Sequence, residues 1–190
     1  MATVKKLKIT ELKKHLKEYE HKELIGLVSE LYKLNIDVAH YLSAKLLGEE
    51  VTTDLFESSK KEIKDEFFPS NSFGKMRLAK AKSAITNFKK LTNDHYRTVE
   101  LMLFYVEIGT KFTKTYGDID ENFYGSMILM YDKVAMECDK DENLFKEIDD
   151  RLYEIVVASD GVGWGYPDAL ADSYYTIQWL DEEEEDEDED

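Results

Sequence analysis

The stretch DHYRTVELMLFYVEIGTKFTKTYG, residues 94–117, decides the fold class. Its apolar side chains recur every three to four residues and form two stripes along a helix. One stripe holds Leu101, Tyr105, Ile108 and Phe112, and the other holds Val99, Met102, Leu103 and Val106. Because two stripes are wider than a single neighbour can cover, the stretch predicts a central helix packed on both sides. Gly109 within it indicates that a neighbouring helix approaches closely.

Helical spacing continues on both sides of this stretch, and strand alternation is almost absent. Capping residues, glycines and prolines divide the chain into about nine helices. Their starts are predicted near Thr10, Lys22, Asp37, Thr53, Lys75, Asp94, Asp118, Asp139 and Pro167. The expected fold class is therefore all-α. Short connections favour antiparallel pairs, arranged as an irregular helical bundle or a short α-α superhelix.

Two of these starts rest on pairs of acids three residues apart. Asp118 with Glu121, and Asp139 with Glu142, have the spacing of a capping box, in which each side chain satisfies a free helix N–H. Asp118 and Asp120 also have the pattern of a two-carboxylate metal motif. We favour the cap, because it explains these acids without a metal ion.

Composition excludes several classes of protein. The 190 residues are 43% hydrophobic, which is enough for a core and too much for a disordered chain. The single cysteine, Cys138, excludes an internal disulfide and a multi-cysteine zinc site. The longest apolar run, Leu101–Val106, is too short to span a membrane, and the N-terminus lacks the apolar region of a secretory signal. We therefore expect a cytoplasmic protein with no membrane contact.

The charge is distributed unevenly along the chain. With 25 basic and 41 acidic side chains the net charge is −16, but residues 1–90 carry +5 and residues 91–190 carry −21. The last ten residues, Asp181–Asp190, are all acidic. Such a run repels itself, so we expect a disordered acidic tail at 181–190 after a single helical domain at 1–180.

Four different motifs follow one another along most of the chain. They are Phe67-Phe68-Pro69, the basic stretch Lys75–Lys82 followed by Phe88-Lys89-Lys90, the stretch Phe112–Asp120, and Gly161–Tyr166. On these motifs, residues 5–178 resemble an uncharacterised all-helical family known mainly from bacteria. The resemblance implies an all-helical fold and almost nothing about function. In that family the position of Pro167 often holds a histidine, so chemistry that depends on this histidine is not expected here.

The basic segment 75–90 is one candidate binding site. Lys75, Lys82 and Lys89 are seven residues apart and would form one stripe on a helix, where they could bind phosphates without sequence specificity. The simpler interpretation is a solvated helix face. Arg77 falls on the apolar side of the same helix and needs a carboxylate or several carbonyls, so it belongs either to a structural ion pair or to an anion site.

A second candidate site follows the glycine-rich turn at residues 161–165. Trp164, Tyr166, Asp168 and Asp172 would form an aromatic and acidic surface there. The competing interpretation is a simple turn whose tryptophan packs on the core.

No catalytic residue, metal-ligand set or cofactor site is predicted. The histidines His15, His21, His40 and His95 have no ligand spacing. Cys138 lies between Glu137 and Asp139, which raise the pKa of a thiol and make it unreactive.

Three functions remain open on the sequence. The favoured one is a non-enzymatic helical protein-interaction module, either monomer or homodimer, with a protein partner of unknown identity. The first alternative is weak nucleic-acid or phosphate binding by the basic helix 75–90, with the acidic tail competing for it. The second is a small metal-dependent enzyme that uses carboxylates of the late region.

Overall fold

The computed structural model describes residues 5–180, so the acidic run Asp181–Asp190 lies outside the described residues. Within 5–180 the chain forms nine helices and no strand, which confirms the predicted all-α class. The chain divides into two compact units, one up to Val51 and one from Thr52 onward. A single domain over residues 1–180 stays a prediction.

The first unit contains α1 (Ile9–Leu16), α2 (His21–Leu34) and α3 (Ile36–Leu47). α2 and α3 pack together as a hairpin. The helix start predicted near Asp37 is confirmed at Ile36, where the Asn35 side chain accepts hydrogen bonds from two backbone N–H groups and caps α3. Gly48 ends α3 in the left-handed region, with φ +73°. The helix start predicted near Thr10 lies at Ile9, so Thr10 is inside α1 and does not cap it.

The second unit contains most of α4 and five further helices. These are α4 (Glu49–Phe67), α5 (Leu78–Thr92), α6 (His95–Tyr116), α7 (Glu121–Cys138), α8 (Glu142–Ala158) and α9 (Tyr166–Tyr174). α6 packs against α5, α7 and α8, and eleven of its residues are buried, more than in any other described helix. The predicted central helix is therefore confirmed. The start predicted for α4 at Thr53 is wrong by four residues.

Both predicted capping boxes are wrong by two residues. Asp120, not Asp118, caps α7 by accepting a hydrogen bond from the Phe123 N–H at 2.9 Å. Asp141 caps α8 in the same way. Asp118 and Asp139 bind later parts of the chain instead, so the acid nearer each helix is the one left to cap it.

The start of α5 also differs from the prediction of residue 75. Met76 adopts a left-handed backbone, with φ +48°, and its N–H donates to the Glu66 carbonyl at the end of α4. At Gly74 a Cβ atom would lie 2.1 Å from the Phe67 carbonyl oxygen, so only glycine fits there. The chain from 74 to 77 therefore folds back on α4, and α5 begins at Leu78.

Candidate functional site

The α2–α3 hairpin exposes an unusual amount of apolar surface. Eight of the twelve residues of α3 are apolar and they lie on all sides of the helix, a pattern typical of a buried helix. Yet Ala44 is the one buried residue among those described in the first unit. The exposed large apolar side chains of the hairpin are Ile25, Val28, Leu31, Tyr32, Leu34, Ile36, Tyr41, Leu46 and Leu47. The most exposed, Leu34 and Leu46, are 82% and 78% exposed.

α2 carries more apolar surface than α3 can cover. Leu24 and Leu27 are half-buried, whereas Ile25, Val28 and Tyr32, on an adjacent strip of the helix, are exposed. A strip of this width normally contacts two neighbours, and within its unit α2 packs against α3. No residue of α2 or α3 was among the candidate site residues predicted from the sequence. The signal that points to them is the distribution of apolar residues around all of α3.

A groove of about 500 Å³ runs along this surface. It is lined by Val28, Ser29, Tyr32, Lys33, Leu42, Ser43, Leu46 and Leu47. Its wall is thus mostly aliphatic and aromatic, with a single charged side chain, Lys33. Such a lining suits an apolar side chain of another helix better than a polar ligand.

The hairpin carries no net charge although the whole chain carries −16. Between residues 21 and 47, three lysines balance three acids: Lys22, Lys33 and Lys45 against Glu23, Glu30 and Asp37. The surface of α2 and α3 therefore combines a large exposed apolar area with a balanced charge of its own.

The residues of the predicted basic site do not form one continuous face. Lys75 lies in the loop before α5 and is exposed. Arg77 donates two hydrogen bonds to the buried Glu66 carboxylate, at 2.9 Å and 2.8 Å, and Lys80 Nζ lies 3.0 Å from the same group. The pKa of Glu66 is lowered to about 2, mainly by its hydrogen bonds from the Arg77 guanidinium and to a smaller extent by Lys80. Arg77 therefore lies in an ion pair that fixes the 74–77 loop on α4.

Lys82 is engaged in a polar network that crosses three helices. Its Nζ donates to the Ser126 hydroxyl at 2.9 Å, and Ser126 lies 2.9 Å from the buried Tyr105 hydroxyl. Burial raises the pKa of Tyr105 to about 12, so its hydroxyl stays protonated. The network joins α5, α7 and α6. Of the predicted basic stripe, Lys89 lies on α5 and makes no such bond to any residue within 5–180.

The structure does not bring the second set of predicted residues together. Tyr166 is fully buried and its hydroxyl lies 2.7 Å from Thr110 Oγ1, whereas Trp164 is 57% exposed, so the tryptophan is not packed on the core. Asp168 is exposed in the first turn of α9. Asp172 lines a separate groove with Asp132 and Asp139.

The chemistry-bearing residues elsewhere are held in structural roles. The pKa of the Cys138 thiol is raised to about 12. Burial is the largest cause, and the negative charges of Asp149 and two other nearby acids add to it. Across residues 5–180, no group of three or more His, Cys, Asp or Glu side chains is close enough to hold a metal ion. Over the same residues, no helix combines the length and the apolar character that crossing a membrane requires.

The model of a family of unknown function, DUF6155, matches residues 7–164, which is most of the chain and includes every residue of the α2–α3 hairpin. No curated protein and no solved structure matches the chain.

Proposed function

The chain belongs to the DUF6155 family of unknown function, and we propose that it is a helical protein-interaction module whose docking element is the α2–α3 hairpin. The observation that carries this proposal is the exposed apolar surface of α2 and α3. Monomeric proteins rarely leave contiguous apolar patches of this kind in water, because covering them is favourable by roughly 25 cal/mol per Å².

The occupant that we propose is a second copy of the chain. Because the hairpin has no net charge, two hairpins do not repel each other, whereas the acidic late regions do. Two hairpins packed face to face form a four-helix arrangement related by a two-fold axis, in which the same surface serves both chains.

The size of the hairpin fits such an interface. A standard interface takes about 20–30 residues and about 800 Å² from each partner. The hairpin spans 27 residues, nine of which are exposed large apolar side chains. Those side chains supply the apolar centre of the interface, and the six charged residues of residues 21–47 can form its rim.

The two alternatives have weaker support. Phosphate or nucleic-acid binding by segment 75–90 would need free basic side chains, but Arg77 and Lys82 are engaged by Glu66 and Ser126. A metal-dependent enzyme would need several carboxylates that converge on one point. Among the described residues, no group of three or more potential metal ligands lies close enough together.

Sedimentation equilibrium of the full chain over a concentration series tests the proposal. We expect a mass approaching twice the 22.2 kDa chain mass as concentration rises. Replacing Leu46 and Leu47 together by Gln should weaken the association at least tenfold, because each buried leucine contributes roughly 1.5–3 kcal/mol. The matched control is Leu129→Gln, which changes an exposed leucine on α7 and should leave association unchanged.

A chain that stays monomeric at every concentration contradicts the proposal. So does a self-association that Leu129→Gln weakens as much as the hairpin variant does. If the full chain is monomeric but the hairpin variant loses a complex with some other protein, the second copy is the wrong occupant.

A further inference from the structure

The last described residues fix the point at which the acidic run begins. Trp179 Nε1 donates to the Cys138 carbonyl at 2.9 Å. Gln178 donates its backbone N–H to Asp139 Oδ1 at 3.0 Å and its side-chain amide to the Asp139 carbonyl at 2.6 Å. Leu180 therefore lies beside the C-terminal end of α7, and Asp181–Asp190 starts from there.

A small basic groove lies on the same end of α7. Its volume is about 200 Å³, and it is lined by Lys89 of α5, by His95, Thr98, Val99 and Met102 of α6, and by Lys133 and Glu137 of α7. Glu137 contacts His95 Nε2 at 3.4 Å and Lys140 Nζ at 3.1 Å. Lys89 and Lys133 have no carboxylate partner among residues 5–180, so two positive charges of the groove are unneutralised.

The acidic run is long enough to reach this groove. Lys133 precedes Asp139 by six residues, which is about 9 Å along a helix. Ten residues of extended chain span up to roughly 33 Å. Ten residues are therefore longer than the distance from the end of α7 to Lys133, which shares its groove with Lys89.

We propose that this groove binds an acidic peptide and that its occupant is the chain's own segment Asp181–Asp190. The proposal does not depend on the hairpin, which lies in the other unit of the chain. It rests on charge complementarity, on the place where the described chain ends and on the length that follows it. The segment covers the two free lysines and thereby keeps other polyanions from the groove.

The acids near the starting point do not block this path. Asp132 accepts a hydrogen bond from Ser173, and Asp139 accepts one from Gln178, so both face α9 and the C-terminal turn. Glu137 is held between His95 and Lys140. Asp172 lies on the α9 side of α7, in a different groove. Since the contacts are between exposed charges, salt should weaken them strongly.

Binding of a labelled peptide to full-length chains tests the proposal. The probe is a fluorescent peptide with the sequence of residues 181–190, DEEEEDEDED. The acceptor is a full-length variant in which those ten acids are replaced by their amides, Asn and Gln. We expect this variant to bind the peptide at low salt and to release it at high salt. The native chain should bind it at least tenfold more weakly, because its own segment is present at an effective concentration of about millimolar.

Two lysine pairs separate a specific groove from a general charge effect. In the amide variant, Lys89→Gln with Lys133→Gln should weaken peptide binding by roughly five- to tenfold, within the range of two exposed ion pairs. Lys64→Gln with Lys75→Gln removes the same charge from exposed lysines outside the groove and should have little effect. The proposal is overturned if the two double-lysine variants weaken peptide binding equally. It is also overturned if the native chain and the amide variant bind the peptide equally well.

Single-stranded DNA of the same length serves as a second probe. If the amide variant binds DNA through Lys89 and Lys133 but does not bind the peptide, the groove is a nucleic-acid site and the proposed occupant is wrong.

Discussion

Gly109 of α6 lies directly against Met127 of α7. A Cβ atom at Gly109 would come within 2.3 Å of the Met127 sulfur, and Met127 is fully buried. The glycine therefore leaves the space that the Met127 side chain occupies, and α7 is the close neighbour that the sequence predicted at this position. The contact is central to the second unit, because α6 is its most buried helix.

The first prediction compares two helical glycines. Gly109→Ala should lower the free energy of unfolding by about 1–2 kcal/mol, because the cost of overpacking against Met127 exceeds the gain in helix propensity. Gly125→Ala, on α7, places its Cβ in open space and should raise stability by roughly 0.5–1 kcal/mol. Denaturant unfolding measures both. Two shifts of the same sign would contradict the tight packing of Met127 against Gly109.

The second prediction concerns the ion pair between Glu66 and Arg77. The pKa of Glu66 is lowered to about 2 in the folded chain, so the pair stabilises the protein fully above the usual carboxyl pKa near 4.5. This stabilisation is lost as pH falls from about 4.5 to 2. Glu66→Gln should cost about 2–4 kcal/mol at pH 7 and flatten the stability profile in that pH range.

The matched control is the neighbouring acid Asp65, which pairs with Lys61 and is 40% exposed. Asp65→Asn should cost at most about 0.5 kcal/mol, since exposed ion pairs contribute little. Unfolding by urea at several pH values between 2 and 7 provides both measurements. An unchanged pH profile in Glu66→Gln would show that the pair of Glu66 and Arg77 does not stabilise the fold.

The third prediction is a double-mutant cycle on Tyr166 and Thr110. Their buried hydroxyls are 2.7 Å apart, so Tyr166→Phe leaves Thr110 without that partner and should cost about 1–2 kcal/mol. Thr110→Val together with Tyr166→Phe should cost less than the sum of the single changes. Tyr175→Phe, at a residue 67% exposed, should have little effect. Strict additivity of the two single changes would contradict the hydrogen bond.

Helical periodicity was sufficient to predict the fold class and the central helix, because both depend on the local spacing of apolar residues. The sequence could not show which of two nearby acids caps α7 or α8, because Asp118 and Asp139 are bound by residues some forty positions later, Gly163 and Gln178. Long-range contacts of this kind leave no local pattern.

The candidate site was predicted less well than the fold. Arg77 was correctly recognised as needing a counter-charge, but its partner Glu66 could not be identified from spacing, because the left-handed turn at Met76 brings them together. None of the candidate site residues predicted from the sequence lies on α2 or α3. Periodicity reports which face of a helix is apolar, and it does not report whether the chain itself covers that face.

The most direct test of the central claim, that the hairpin binds a second copy of the chain, is cross-linking of mixed chains. Equal amounts of ¹⁴N- and ¹⁵N-labelled full-length protein are combined and treated with a lysine-specific cross-linker, and the linked peptides are identified by mass spectrometry. The hairpin presents Lys33 in its groove and Lys45 on α3. The account predicts mixed-isotope links that join Lys33 or Lys45 of one chain to Lys33 or Lys45 of another. Hairpin links that always carry a single isotope, with mixed links confined to lysines such as Lys64 and Lys111, would contradict it.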